Sequence, residues 1–246
     1  EGDTAVAPAD DPRLEARARA TRASVRLFGE GEESSLRAAD TAMSLEGSRF
    51  ELQGGTSGAP IELPVPGPHA ISNFLLAAAI ASALGIPLAA IALRARLLRP
   101  GDNRGAVKRL QDDILLIDDS YNSNPKALLC AVETLSLAHD RRRVACIGDM
   151  LELGPRGPEL HRAAGAAIGP RVDLLLCVGT LAGELTLGAS SLPPQAKKVF
   201  ANSAELALSI ASLVQSHDAV LVKGSRGVRM ERVVEALTTA HPGVEA

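Results

Sequence analysis

The segment DDSYNSNP, residues 118–125, holds more polar chemistry than a turn requires. It follows the apolar run ILLID and combines two carboxylates with hydroxyls and amides. A carboxylate at such a turn can accept both hydroxyls of a ribose, and asparagine amides can hold a peptide or a carboxylate. Asn124 also suits a helix N-cap, with Pro125 in the first helical position, so part of the pattern is structural. The candidate site residues of this segment are Asp119, Ser120, Tyr121, Asn122 and Asn124.

The segment VKGSRG, residues 222–227, follows the last strong apolar run of the chain. Lys223 comes directly after strand residues and before a glycine, so its ammonium is expected at a strand end beside backbone N–H donors of the next turn. That combination stabilises phosphate or developing negative charge. The alternative is a lysine whose stem covers apolar surface while its charge reaches water.

Two further segments contain candidate binding residues, each of which also has a purely structural interpretation. Arg104, in GDNRG, can reach a phosphate when domains close, or it can be a solvated loop charge. His69 and Asn73, in GPHAISN, are four residues apart and share a helix face, where an asparagine can read an adenine edge. A helix cap with a surface histidine is the simpler interpretation of that second pattern.

The segment GDMLELG, residues 148–154, contains Asp149 and Glu152. The two acids can form a metal pair, but solvated acids at a helix start are the favoured interpretation. His161 follows about two turns later and is favoured as a surface or packed histidine rather than a catalyst. No metal site is predicted from these residues.

Composition narrows the class of protein. The 246 residues include 26 Lys+Arg and 29 Asp+Glu, which gives a net charge of −3, and 46% of them are hydrophobic. This balance is typical of a soluble globular protein and disfavours nucleic acid or an anionic membrane as a partner. No secretory signal and no apolar run of membrane-spanning length is visible, so we expect a cytoplasmic protein, and a monomer. Cys130, Cys146 and Cys177 lie in apolar runs and are expected to be buried thiols.

The turn-rich stretch RPGDNRG, residues 99–105, separates two patterns. Before it, strands are predicted at 4–7 and 24–28, with a helix after Asp11 between them and a polar loop at 30–35. Residues 36–65 alternate apolar and polar as in a small antiparallel sheet. Helices are predicted at 73–84 and 88–97.

After this stretch, continuous apolar runs alternate with helix-compatible segments. The runs lie at 114–118, 144–148, 172–179, 198–201 and 219–224, and the helices are predicted at 125–139, 158–168, 204–215 and 230–239. Short, doubly buried strands that alternate with helices predict a Rossmann-like, mostly parallel sheet with helices on both faces. Ligands bind at the carboxyl ends of strands in such sheets, and both polar segments above fall there.

The chain is therefore expected to be an α/β protein with two domains, residues 1–101 and 102–246. It contains neither a GxxxxGK[ST] phosphate loop nor a GxGxxG fingerprint. Phosphate transfer that depends on a Walker lysine cannot be complete in this chain, and a dinucleotide-binding oxidoreductase has no motif support.

Three runs in this order and spacing resemble the Mur ligase family: LIDDSYNSNPKAL, GDMLELG followed by His161, and VKGSRGVRME. ADDPRL and PGPHAISNFLLAAAIA resemble further family segments, so the similarity extends from about residue 4 to about residue 237. On this resemblance, residues 1–101 are the rear of a central ATP-binding domain that includes the small antiparallel sheet, and residues 102–246 are the C-terminal domain. The UDP-sugar-binding domain and the phosphate loop are expected upstream of the chain.

The resemblance implies ATP-dependent amide-bond formation in peptidoglycan precursor synthesis. The family member favoured by the motifs adds D-alanyl-D-alanine to UDP-N-acetylmuramoyl-tripeptide through an acyl phosphate. ATP and Mg²⁺ are implied, with the metal ligands in the upstream part, so this chain alone is expected to be inactive. The alternatives are a sibling Mur ligase, a folylpolyglutamate synthetase, or a non-catalytic nucleotide- or peptide-binding module.

The resemblance also implies roles for single residues. Asn73 would contact adenine, Arg104 would approach the ATP phosphates, and Asp119 would hold the ribose. Lys223 would be the catalytic residue of the closed site. The residues that would line the peptide and dipeptide site are Ser120, Tyr121, Asn122, Asn124, Ser225 and Arg226.

Overall fold

The computed structural model describes residues 2–29 and 33–244, which form two compact units, Glu1–Arg99 and Pro100–Ala246. Each unit has its own hydrophobic core. The boundary between the units falls inside the turn-rich stretch at 99–105. The assignment of the units to a central ATP-binding and a C-terminal domain stays a prediction at this point.

The first unit contains a two-stranded parallel sheet, a three-stranded antiparallel sheet and three helices. Its elements are β1 (Thr4–Pro8), α1 (Pro12–Arg19), β2 (Ser24–Phe28), β3 (Arg37–Ser44), β4 (Gly47–Gly54), β5 (Ser57–Leu63), α2 (Pro68–Ala83) and α3 (Leu88–Ala95). The predicted small antiparallel sheet is present, with the strand order β3-β4-β5. Its apolar face packs on α2, where the rings of Phe50 and Phe74 meet edge to face at 5.7 Å.

The ends of the helices in the first unit follow local chemistry. Asp11 caps α1 by accepting hydrogen bonds from the backbone N–H groups of Arg13 and Leu14, as expected. The predicted start of α2 at residue 73 is wrong, because the helix begins at Pro68, whose fixed φ suits the first turn. Helix α3 ends at Ala95 instead of residue 97. The predicted loop at 30–35 includes residues 30–32, which lie outside the described residues.

The second unit is a six-stranded sheet between two layers of helices. Its elements are β6 (Ala106–Arg109), β7 (Leu115–Asp119), α4 (Pro125–Leu135), β8 (Arg142–Gly148), α5 (Gly157–Ile168), β9 (Leu174–Val178), α6 (Ala182–Gly188), β10 (Lys197–Phe200), α7 (Ser203–Leu213), β11 (Asp218–Lys223) and α8 (Glu231–Ala240). The strand order is β10-β9-β8-β11-β7-β6, and all neighbours are parallel except β6 and β7.

Burial on both faces explains why the strands of this sheet read as continuous apolar runs. Val220 and Val222 of β11 pack in one core cluster with Ile210 of α7 and Val233 of α8. Leu221, between them, is also fully buried and points to the opposite face, where α4, α5 and α6 pack on one another. The prediction of a mostly parallel sheet with helices on both faces is confirmed.

Two elements of the second unit escaped prediction, and one helix is shorter than expected. Strand β6 is a four-residue edge strand whose Lys108 and Arg109 are exposed, so it lacks an apolar run. Helix α6 has only seven residues and no side-chain cap. Helix α4 ends at Leu135 instead of residue 139, and the Ser136 hydroxyl donates to the carbonyl of Val132 at that end.

The cysteines differ in burial. Cys146 and Cys177 are fully buried in the sheet, as expected, whereas Cys130 is only half-buried on α4. Burial raises the pKa of the Cys177 thiol to about 12 and raises the pKa of Cys146 further, so both thiols stay protonated. Across residues 2–29 and 33–244, none of the helices combines the length and the apolarity that a bilayer crossing requires.

Candidate functional site

The predicted site segments of the second unit meet at one edge of its sheet. Strands β8, β11 and β7 are neighbours in the order β8-β11-β7 and run parallel, so the loops after them emerge side by side. We call these loops, residues 118–124, 148–153 and 223–227, the carboxyl edge.

Lys223 and Asp119 form a short ion pair at this edge. The Lys223 Nζ lies 2.6 Å from Asp119 Oδ2 and 2.8 Å from the carbonyl oxygen of Asn122. The two residues are direct neighbours in the pairing of β11 with β7, and the lysine side chain is only 3% exposed. The alternative in which the lysine charge reaches water is wrong, because the buried ammonium bonds to oxygens on β7 and its loop. A buried ammonium requires such compensation. Lys223 does end its strand, as expected, and its role toward negative charge stays a prediction.

Asp118 belongs to a separate network. Its buried carboxylate accepts from the Ser120 hydroxyl at 2.7 Å and from the Lys108 Nζ at 3.1 Å. Ser120 is itself buried, so its hydroxyl is committed to the turn in this conformation. Sequence reasoning missed Lys108, whose signal is only its position two residues into a short edge strand.

Tyr121, the only tyrosine in the chain, has two arginines beside its ring. Its ring lies 4.0 Å from the Arg104 Cζ and 5.4 Å from the Arg226 Cζ, measured to the ring centroid. The Tyr121 backbone N–H donates to the carbonyl of Asn103, which holds this loop beside the residues before β6. Three residues that the sequence suggested for separate roles are therefore one cluster. We call Arg104, Tyr121 and Arg226 the arginine–tyrosine stack.

The remaining candidates of the second unit stabilise loops. The Asn124 Oδ1 accepts from the Ala127 N–H at 2.9 Å, which confirms the predicted N-cap. The Asn122 Oδ1 accepts from the next backbone N–H at 2.8 Å, and both asparagines are exposed. The Ser225 hydroxyl accepts from the Leu151 N–H at 2.9 Å and lies 3.3 Å from the carbonyl of Ser123, so it ties the three loops of the carboxyl edge together.

The interpretation of Asp149 as a solvated acid at a helix start is wrong. Its carboxylate is buried and accepts from the backbone N–H groups of Thr180 and Leu181, at 2.7 and 3.1 Å, just before α6. Gly179 makes this possible, because its φ is +121° and a Cβ there would lie 2.4 Å from the carboxylate. Asp149 is therefore an anchor between loops. Glu152 is exposed on a loop, at φ +64°, and not on a helix.

His161 is a packed histidine, as expected. It is fully buried, its Nε2 accepts from the Met150 N–H at 2.9 Å, and its Nδ1 lies 2.7 Å from the carbonyl of Gly157. The proton must therefore reside on Nδ1, and both ring nitrogens bond to the backbone. Within the described part of the chain, no three His, Cys, Asp or Glu side chains converge as metal ligands. These residues do not fit a Mg²⁺ site.

Asn73 belongs to the first unit, unlike the candidates described above. It is exposed on α2 of the first unit, on the same helix as His69, whereas all other candidates belong to the second unit. Its predicted contact with adenine stays a prediction.

Sequence models of two Mur ligase domains match the chain. The Mur ligase middle domain matches residues 1–81, and the Mur ligase glutamate ligase domain matches residues 103–226. The second match covers half of the chain and includes most of the carboxyl edge and the whole arginine–tyrosine stack.

Relatives and solved structures agree with these matches. The UDP-N-acetylmuramoyl-tripeptide–D-alanyl-D-alanine ligase of Escherichia coli K12 is 33% identical over 207 residues, which cover 83% of this chain and 44% of the relative. The Bacillus subtilis ligase of the same name is 26% identical and is covered to 50%. A crystal structure of MurF from Acinetobacter baumannii superimposes with a TM-score of 0.82 at 27% identity, over 97% of this chain and 52% of that chain.

This chain spans about half the length of the curated relatives that it matches. Within that span, the two matched domains follow one another in the order of the two compact units, and the matched fold covers nearly all of the chain. On these grounds the chain belongs to the Mur ligase family.

Proposed function

We propose that the protein that contains this chain is an ATP-dependent amide ligase, which adds D-alanyl-D-alanine to UDP-N-acetylmuramoyl-tripeptide in peptidoglycan precursor synthesis. The observation that carries the proposal is the carboxyl edge, where a buried lysine–carboxylate pair lies on the same loops as Tyr121 and Arg226 of the arginine–tyrosine stack. The names of the relatives described above support the choice of substrates. The chain would supply the rear of the central ATP-binding domain and the C-terminal domain, roughly residues 1–101 and 102–246.

The chemistry of such a ligase depends on managing charge. ATP phosphorylates the terminal carboxylate of the tripeptide, which yields ADP and an acyl phosphate. The dipeptide amine then attacks the acyl carbon, loses a proton to a base, and the tetrahedral intermediate expels phosphate. Every oxyanion in this sequence repels the next, so cations such as Arg104 and Arg226 are required to offset the repulsion.

Asp119 and Lys223 take coupled roles in this proposal. Asp119 would accept the ribose hydroxyls, and Lys223 would stabilise negative charge that develops during the transfer. Since the two side chains are bonded at 2.6 Å, a ligand that binds the carboxylate also alters the charge environment of the ammonium. The same pair ties β7 to β11, so any kinetic test of it requires a stability measurement beside it.

ATP enters this proposal as a substrate. A MurF from Thermotoga maritima has been crystallised with ADP, and its fold superimposes on this chain with a TM-score of 0.80. The Mg²⁺ implied by the family resemblance is assigned to ligands outside this chain, and no step above uses it. A cytoplasmic location and a monomeric state remain predictions from the sequence.

The test is a ligation assay on the full-length protein that contains this chain. We expect a product one dipeptide heavier than UDP-N-acetylmuramoyl-tripeptide by mass spectrometry, together with phosphate release that requires D-alanyl-D-alanine. The isolated chain is expected to show neither activity. D-alanyl-D-alanine-dependent ATP hydrolysis by the isolated chain would contradict its assignment as an incomplete part of the enzyme.

Substrate replacement separates this proposal from its alternatives. A sibling Mur ligase would incorporate a single amino acid in place of the dipeptide, and a folylpolyglutamate synthetase would extend a folate with glutamate. A binding module would bind nucleotide without any product. Each of these outcomes would contradict the dipeptide assignment.

A further inference from the structure

We propose that Tyr121 is a positioning residue, whose ring holds Arg104 and Arg226 together as one clamp for an oxyanion. The clamp is a property of the second unit alone. It rests on the proposed function only for the identity of the oxyanion.

The backbone on both sides of the arginine–tyrosine stack is held in place. The Arg104 N–H donates to the carbonyl of Gly101, and the Gly105 N–H donates to the carbonyl of Asp118 at 2.9 Å. Arg226 follows Ser225, whose buried hydroxyl joins the loops of the carboxyl edge. Tyr121 is held by its own N–H. Both guanidinium groups are therefore delivered to the same ring from fixed points of the chain.

The charges around the stack are unequally compensated. Lys223 is paired with Asp119, and Lys108 is paired with Asp118. By contrast, across residues 2–29 and 33–244, no carboxylate lies within 4.0 Å of the guanidinium of Arg104 or of Arg226. Arg226 at the carboxyl edge and Arg104 beside it are thus available to a ligand.

The aromatic ring attracts both guanidinium groups, whereas the two like charges repel each other. A guanidinium is attracted to an aromatic face, and this attraction restricts a long, flexible side chain. Two guanidinium groups held at one ring repel each other, and an oxyanion between them relieves that repulsion through charge-assisted hydrogen bonds. Two guanidinium groups at one ring suit a compact oxygen anion that can accept hydrogen bonds from both. On the proposed function this anion is either a phosphate group of the nucleotide or the carboxylate of the dipeptide.

Intrinsic fluorescence offers a direct readout of the clamp, because the chain has one tyrosine and no tryptophan. Inorganic pyrophosphate serves as the probe for the phosphate source, and D-alanyl-D-alanine serves as the probe for the carboxylate source. We expect a saturable change in Tyr121 emission with one of them. Arg104→Gln and Arg226→Gln should each weaken that binding, whereas Arg229→Gln, an exposed arginine outside the stack, should not.

Tyr121 itself is tested by calorimetry with the anion that binds. Tyr121→Phe keeps the ring and should hold the affinity within about twofold, whereas Tyr121→Leu should weaken it about fivefold, the size expected for exposed cation–π contacts. Thermal melts check that each variant folds. The inference is overturned if Tyr121→Leu binds as tightly as the parent chain, or if neither anion shows saturable binding.

These results remain separable from the proposed function. If the clamp variants bind normally but Lys223→Met abolishes ligation by the full-length protein, the clamp is wrong and the ligase assignment stands. If binding depends on Tyr121 but the full-length protein forms no amide, the clamp stands and the ligase assignment is wrong.

Discussion

The arginines at the two ends of the six-stranded sheet are compensated in different ways. At the amino end, Arg142 binds Asp218 with two hydrogen bonds of 2.6 and 2.9 Å, and Asp113 binds both Arg141 and His217. At the carboxyl end, the arginines of the arginine–tyrosine stack contact a ring, and among the described residues no carboxylate pairs with them. Where the charges of an edge compensate one another, no bound ion is needed to neutralise them. Uncompensated cations at an edge favour the binding of an anion there.

The two ends of the sheet also differ in how exposed these side chains are to solvent. Asp218 at the amino end is buried and also accepts from the Gln215 N–H, so its carboxylate is saturated by the protein. At the carboxyl end the Tyr121 ring is 37% exposed. The charged groups at the amino end thus stabilise the fold, whereas the carboxyl end exposes side chains that a ligand can contact.

The largest expected effect is the loss of the buried pair at the amino end. Asp218→Ala should lower the free energy of unfolding by about 3 kcal/mol, because Arg142 loses both hydrogen bonds, although its side chain is 31% exposed and partly solvated. Chemical denaturation of the isolated chain measures this change. The matched control is Glu184→Gln, which breaks the more exposed pair with Arg162 and should cost less than about 1 kcal/mol.

The next effect concerns catalysis at the carboxyl end. In the full-length protein, Lys223→Met should lower kcat by about a hundredfold, as expected when a group that stabilises transition-state charge is lost. Asp119→Asn should chiefly raise the KM for ATP. Since the pair is bonded, the double variant should lose less than the product of the two single effects. Fully multiplicative losses, or an unchanged KM for ATP in Asp119→Asn, would count against these coupled roles.

A smaller effect separates the two edges through stability alone. Arg226→Gln should change the free energy of unfolding by no more than about 0.5 kcal/mol, because this arginine forms no ion pair within residues 2–29 and 33–244. Denaturation beside the Asp218→Ala variant provides the comparison. A destabilisation as large as that of Asp218→Ala would mean that the carboxyl edge is structural as well.

The smallest effect is a pH dependence of the amino end. The hydrogen bond from His217, followed by that from Arg141, lowers the pKa of the Asp113 carboxyl. A lowered pKa in the folded state stabilises the protein above the unfolded pKa, near 4, and this contribution is lost as the pH falls through the folded value. Denaturation between roughly pH 2 and 6 should show a shallower acid loss for Asp113→Asn than for the parent chain. Identical acid profiles would show that Asp113 does not contribute to the pH dependence of stability.

Much of the second unit was predictable because its signals are local. Runs such as ILLI and VACIG are apolar throughout, since both faces of their strands are covered, and Asn124 with Pro125 marks the start of α4. Strand β6 carries no such signal, because an edge strand is half-exposed and acquires its identity only from pairing with β7.

The candidate site was predictable in its residues but not in its contacts. The Lys223–Asp119 pair and the arginine–tyrosine stack both depend on β11 lying next to β7, which is a property of strand order and not of local sequence. Asp149 was misjudged for the same reason, because the N–H groups that bury it belong to the loop after β9. Residue types therefore indicated which segments could form a site. The strand order determined which side chains contact one another in it.

The most direct test of the two-edge account is a map of backbone amide chemical shifts, recorded by NMR on this chain during a titration with ATP. We expect shifts at Tyr121, Asn122 and Arg226, and none at Asp113 or Asp218. Shifts confined to the amino end of the sheet, or unchanged amides at the carboxyl edge under saturating ATP, would contradict the claim that the carboxyl edge is the ligand-binding edge.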